Sequence, residues 1–156
     1  MTKVQAAIPW NAWGNFLQAH ARATEELNRR SAAVGLPPMD WYDVLWTLER
    51  AGDKRLRMSE VADMLTTSRS NFTRLLDRLE EAGVALRERS DEDRRTTYVL
   101  ITPEGKKLRK KMWVLYEKAI REIFFDHVTD KESVAIAEGL RKVFENLRDG
   151  SVDRNL

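Results

Sequence analysis

The chain has 156 residues, a formal net charge of +2, 42% hydrophobic and 33% charged residues, two histidines and no cysteine. That is enough apolar content for one core, and it excludes disulfides, thiolate metal sites and cysteine redox sensing. No run of about 18 apolar residues is present to span a membrane, and the N-terminus lacks a signal-peptide pattern, so a cytoplasmic protein is expected.

Residues 1–9 read as a short leader. A long helix is expected from Trp10 to Ala33, because Trp13, Phe16, Leu17, His20, Thr24 and Leu27 recur at steps of three and four. Gly35 ends it and Pro37-Pro38 prevent resumption. A second helix starts near Asp40 with Trp41, Val44, Leu45 and Leu48 inward, and stops at Ala51-Gly52-Asp53. Lys54 to Arg57 is a short extended link.

The stretch from Met58 to Thr102 then carries the organisation of the chain. Ser59 is the expected N-cap of a short helix with Val61, Ala62 and Leu65 on one face. Thr66-Thr67-Ser68 interrupts the pattern, and Ser68 caps the next helix. That helix buries Phe72, Leu75, Leu76 and Leu79 and shows Arg69, Ser70, Asn71, Thr73, Arg74, Asp77 and Arg78 on its other side. Gly83 suits a left-handed stop. A strand with alternating Arg87, Glu88 and Arg89, a polar turn from Ser90 to Arg95, and a returning strand Tyr98 to Ile101 complete the segment. Helix, turn, helix and hairpin in that order predict a winged helix-turn-helix, whose second helix enters the DNA major groove.

After the hairpin, Thr102 caps a helix with Pro103 at its first position and Glu104 at its positive end. Its stripe is Leu108, Met112, Leu115, Ala119 and Ile123. Asp130 is the expected cap of a last helix with Val134, Ala137, Leu140, Phe144 and Leu147 on one face, and the tail from Asp149 is polar. The fold class is therefore mainly α: a winged helix-turn-helix with a small antiparallel β-wing and long N- and C-terminal dimerisation helices. The expected division is 1–36 for dimerisation, 37–102 for DNA binding and 103–156 for dimerisation. In a monomer the terminal helices would leave Trp10, Phe124, Phe125 and Phe144 poorly covered, which marks an interface.

The motifs resemble the MarR family of transcriptional regulators. The match is carried by Leu76, Arg78, Leu79, Glu80, Glu81, Ala82 and Gly83, then by Asp93, Arg94 and Arg95, then by Val99, Thr102 and Gly105. Ile101 stands where the family has leucine, and Asp91 where a proline is common in the turn. The resemblance runs from about Gly35 to Leu147. It implies a homodimer whose terminal helices interlock, two recognition helices matched to a pseudo-palindromic operator on double-stranded DNA, and a small third strand from the 54–57 link.

Charge placement agrees with a nucleic-acid-binding lobe. Residues 54–111 hold 15 Lys and Arg against 10 Asp and Glu, a balance of +5, whereas 1–53 balance to −1 and 112–156 to −2. The DNA-contacting set is read as Ser68, Arg69, Ser70, Asn71, Thr73, Arg74 and Arg78 on the recognition helix, with Asp93, Arg94 and Arg95 in the wing. Arginine bonds guanine bidentately and asparagine bonds adenine. Asp93 is expected to pin one arginine, Arg94, by an ion pair, leaving Arg95 to enter a narrow minor groove.

The aromatic residues Trp10, Trp13, Trp41, Tyr42, Trp46, Trp113 and Tyr116 fall on three helices. Aromatics at helical spacing are most often core. The functional alternative is a pocket for a small aromatic or phenolic ligand, which the resemblance implies, with Trp13, His20, Trp41, Asp43, Trp46 and Trp113 as contacts. Trp13 and Asp43 with an arginine are also similar to the urate-responsive branch of the family.

His20 and His127 have no ligand motif around them, so neither a metal nor a cofactor is expected. No phosphate loop, nucleophile elbow or HExxH is present, and an enzyme is not expected. The reading is a dimeric repressor released by a small aromatic ligand. Its alternative is a winged-helix protein–protein adaptor without DNA binding, which would carry an acidic or apolar outer face on the 68–82 helix in place of three arginines.

Overall fold

The computed structural model describes residues 10–65 and 69–148. In chain order these form α1 (Asn11–Ala33), α2 (Met39–Arg50), β1 (Leu56–Arg57), α3 (Met58–Met64), α4 (Arg69–Glu81), β2 (Ala85–Arg89), β3 (Thr97–Ile101), α5 (Pro103–Ile123) and α6 (Asp130–Arg148), with a 3-10 turn at Phe125–His127. The fold is mainly helical with one small antiparallel sheet, as the sequence predicts. The chain divides between Glu117 and Lys118 into two compact units.

The first unit holds a core in which α2, α3 and α4 pack on the inner face of the sheet. Val44, Leu45, Val61, Phe72, Leu76, Leu79 and Val99 are all essentially inaccessible there. Each comes from the face that helical spacing or strand alternation assigns inward. The strand order is β1-β3-β2. Leu56 opposes Val99 on one side, and Ala85 opposes Ile101 on the other. The short 54–57 link thus supplies the third strand at the sheet edge.

Two joints tie the wing to its neighbours. At the end of α4, Gly83 takes φ +70°, and the Val84 amide donates to the Leu79 carbonyl at 3.0 Å. At the start of α5, Thr102 Oγ1 accepts from the Gly105 amide at 3.0 Å and donates to the Gly83 carbonyl at 2.7 Å. Thr102 therefore caps α5 as expected and closes the hairpin onto the end of α4.

Two expected caps lie one or two residues away from their predicted places. Ser59 sits inside the first turn of α3. The helix starts at Met58, and the Glu60 carboxylate accepts from the Arg57 amide at 2.7 Å. The last helix is capped by Thr129 rather than Asp130. Thr129 Oγ1 accepts from the Glu132 amide at 3.3 Å, and Glu132 accepts in return from the Thr129 amide at 2.8 Å. In both cases a glutamate three residues into the helix reaches back to the capping amide, and that reciprocal bond decides the boundary.

α1 buries only Leu27 and Ser31. Trp13, Phe16, Leu17 and His20, which share its predicted apolar face, are exposed, as is Trp10 at its start. In the second unit, α6 likewise exposes Val134, Ile136, Leu140, Val143, Phe144 and Leu147, and Phe124 and Phe125 before it are exposed too. No described helix is long and apolar enough to cross a membrane.

Candidate nucleic-acid interface

The 3.6-residue period splits α4 into two faces. Phe72, Leu75, Leu76 and Leu79 anchor it in the core, so Arg69, Ser70, Asn71, Thr73, Arg74, Asp77 and Arg78 all stay exposed. Ser68 lies outside the described residues. The Thr73 hydroxyl bonds back to the Arg69 carbonyl at 2.9 Å. Arg74 forms no hydrogen bond or ion pair among the described residues. Arg78 reaches Asp40 of α2 at 3.5 Å, with both side chains half exposed.

Two grooves flank this helix. One, of about 410 Å³, has walls of Arg57, Ser59, Arg69, Thr73, Arg95 and Thr96 over a floor of Met58, Ala62 and Phe72. Three guanidinium groups around one groove make it an anion-attracting surface between α4 and the wing. Arg57 and Ser59 were not among the sequence-derived contacts. They come from the strand edge and the start of α3, and only the fold brings them beside Arg69 and Arg95. The second groove, of about 340 Å³, is lined by Asp40, Asp43, Leu65, Asn71, Arg74, Leu75 and Arg78. Burial, and then the charge of Asp40, push the Asp43 carboxyl up to about 6.

The wing tip is braced, though not by the expected ion pair. Asp93 Oδ1 accepts from the Arg95 amide at 2.9 Å, and Oδ2 accepts from the Thr96 hydroxyl at 2.8 Å. Those bonds, and then the nearby Arg57 charge, hold the carboxyl below its ordinary range. Both oxygens are occupied by local partners, the Asx-turn geometry that an aspartate adopts two residues before the amide it bonds. A water-exposed guanidinium gains too little from pairing to displace them. Arg94 and Arg95 are consequently both exposed and without an ion pair among the described residues. Ser90 Oγ accepts from the Glu92 and Asp93 amides at 3.3 Å and completes the turn.

One wing residue to which the sequence reading gave no role of its own, Arg87, is tied directly to α4. The Arg87 amide donates to Glu80 at 2.6 Å, and its guanidinium bonds Glu80, Asp77 at 2.7 Å and the Thr73 carbonyl at 3.2 Å. A signal for it exists: Glu80 and Asp77 sit three residues apart on α4, and strand alternation turns Arg87 and Arg89 to the same side. On the neighbouring strand edge, Arg55 pairs with Glu88 at 2.6 Å and lies 4.2 Å over the Tyr98 ring.

The six sequence-derived ligand contacts do not share one place in the chain. Trp46 and Trp113 stack on Tyr42 at 6.5 and 6.0 Å, and Tyr116 meets the same ring edge-on at 5.1 Å. Arg109 lies over Trp46 and pairs with Glu49. Trp41 instead packs against the main core, with its indole nitrogen buried and unpartnered among the described residues. Asp43 lines the groove beside Arg74. Trp13 and His20 flank Phe16 on the exposed face of α1, at ring distances of 5.9 and 6.4 Å.

Comparison with known proteins places this geometry in a family. A model described as the MarR family matches residues 34–96. The chain is similar to the HTH-type transcriptional regulator YfiV of Bacillus subtilis, 38% identical over 65% of this chain and 62% of that protein, so it spans under two thirds of that relative's length. It is also similar to the HTH-type transcriptional repressor IacR of Pseudomonas putida, 29% identical over 83% of this chain and 75% of that one. Among solved structures it resembles Sco3205, a MarR family transcriptional regulator from Streptomyces coelicolor in complex with DNA. The TM-score is 0.82 at 27% identity, covering 90% of this chain and 92% of the other.

Proposed function

Because the chain belongs to the MarR family of DNA-binding transcriptional regulators, we propose that it acts as a cytoplasmic homodimer that occupies a pseudo-palindromic operator and represses transcription until a small aromatic ligand releases it. The observation that carries the DNA reading is the outer face of α4. It is polar, exposed and rich in arginine, and it lies beside a wing whose two tip arginines have no ion pair among the described residues. An adaptor would instead present an acidic or apolar face there.

The residues take separate roles. Asn71 and Arg74 read base edges from the major groove, with Ser70 and Thr73 as shorter donors beside them. Arg69, Arg78 and Ser68 position the helix against phosphates. Arg94 and Arg95 serve the minor groove, with Asp93 holding the turn that presents them. The DNA-binding segment is 37–102, and 1–36 and 103–156 carry dimerisation. The exposed apolar faces of α1 and α6 support that assignment, since monomers rarely leave such stripes uncovered. A two-fold axis would place two copies of α4 about one helical turn of DNA apart.

Repression and release are supported by the repressor among the relatives and by the aromatic cluster around Tyr42. Trp46 and Trp113 offer stacking faces, and Arg109 offers a cation beside them. Trp13 and His20, exposed on α1, would join a site only in the assembled dimer. The test is to select bound fragments from the source genome and to sediment the protein at micromolar concentration. A reproducible inverted repeat and a mass near twice 18.1 kDa are expected. Unselective binding by a stable monomer would contradict the proposal.

A further inference from the structure

We propose that Arg87 is the positioning residue that fixes the wing at a set distance and angle from the recognition helix, so that base contacts by α4 and groove contacts by the wing are made together. The inference rests on the DNA-binding reading above and extends it to a residue that touches no DNA. The hairpin follows α4 through the left-handed turn at Gly83, and its base is held by the Thr102–Gly83 bond and by Ala85 and Val99 in the core. Arg87 stands partway along β2, opposite Val99, and ties the hairpin to α4 beyond that base.

Its contacts run along one stripe of α4: Glu80, then Asp77, then Thr73. Seven residues at a rise of about 1.5 Å span about 10 Å of the helix. The backbone amide and one guanidinium nitrogen hold Glu80, while a second nitrogen is shared between Asp77 and the Thr73 carbonyl. A planar fork that engages several acceptors at fixed angles sets an orientation as well as a distance, which a lysine's single ammonium does not. The stripe lies next to Asn71 and Arg74, and the far end of the same strand leads to the turn that carries Arg94 and Arg95. The brace also offsets part of the negative charge of Asp77 and Glu80. Only a quarter of the Arg87 side chain is exposed, and both terminal nitrogens of its guanidinium already have partners on α4.

The prediction concerns coupling. Wild type, Arg87→Lys, Arg95→Ala and the double variant are titrated by fluorescence anisotropy on one A·T-flanked operator, after melting curves confirm that each is folded at the assay temperature. Arg95→Ala should weaken binding about tenfold in the wild-type background, within the range for a good groove contact. In the Arg87→Lys background the same change should weaken it less than about twofold, the margin allowed for independent sites. An equal loss in both backgrounds means that the wing is placed without Arg87 and overturns the proposal. Wild-type affinity in Arg87→Lys overturns it as well, because charge alone would then suffice. No loss from Arg95→Ala in the wild-type background overturns the wing reading itself, and the brace with it. If Arg87→Lys does not fold, Asp77→Asn removes one arm from the helix side, and the same loss of the Arg95 contribution is expected.

Discussion

Replacing Gly105 with alanine should loosen the joint between the wing and α5. A methyl group there would stand 2.0 Å from the Val84 carbonyl oxygen, 2.8 Å from Ile101 Cγ1 and 3.0 Å from the Val84 carbonyl carbon. Carbon and oxygen approach no closer than about 3.3 Å in ordinary contact, so backbone has to move by more than about 1 Å. The obstructing carbonyl accepts the Thr102 amide at 3.2 Å, and the Gly105 amide is itself held by the Thr102 hydroxyl. Displacement therefore strains the cap of α5 together with the end of the hairpin. Overpacking destabilises by about 1–3 kcal/mol, and losing a cap costs about 1 kcal/mol. Alanine's better helix propensity returns about 1 kcal/mol, which leaves a loss of about 1–3 kcal/mol. At about 2–4 °C per kcal/mol for a chain of this size, Tm should fall by about 2–12 °C. Circular dichroism melting at fixed protein concentration checks it. A Tm within about 1 °C of wild type would refute the reasoning, since a shift that small corresponds to less than about 0.5 kcal/mol.

Further outcomes follow from the grooves and the aromatic cluster. Asp43 has its carboxyl raised to about 6 in the folded chain, against about 3.9 unfolded, so between those values the folded state binds more protons and stability falls as pH rises. Asp43→Asn should therefore raise Tm at pH 7.5 and change it little near pH 4; an equal effect at both would contradict burial as the cause. Asp93→Ala should weaken operator binding although it removes a negative charge, because the Arg95 amide and Thr96 hydroxyl lose their acceptor; tighter binding would reduce the aspartate to a repulsive charge. Salicylate or urate should quench tryptophan fluorescence saturably and weaken operator binding, and compounds of this class with neither effect would return Trp46 and Trp113 to a purely packing role.

The recognition helix was legible because one period governs it: four apolar residues at steps of three and four leave a single polar face. The wing was legible from Gly83, the adjacent arginines and the capping threonine, each of which constrains the backbone locally. What escaped was decided through space or by fine local geometry. The partner of Asp93 depends on turn dihedrals that bring an amide closer than any guanidinium. The Arg87 brace requires knowing which strand face turns toward α4. Periodicity placed Trp13, His20, Trp46 and Trp113 on helix faces, but it could not say that Trp46 and Trp113 meet Tyr42 while Trp13 and His20 stay with Phe16 on α1. The two displaced caps reflect reciprocal bonds from Glu60 and Glu132, which outrank the hydroxyl or carboxyl nearest the start of each pattern.

The claim that the exposed face of α4 reads sequence is tested most directly by Arg74→Ala, titrated on the selected operator and on a scrambled duplex across a range of salt. A base-edge contact is worth about 1–3 kcal/mol, so operator affinity should fall about 5- to 150-fold while scrambled DNA is bound almost as before. The salt dependence should stay close to that of wild type, because no phosphate contact is lost. Unchanged operator affinity, or an equal loss on both duplexes with a shallower salt slope, would contradict base reading by this residue.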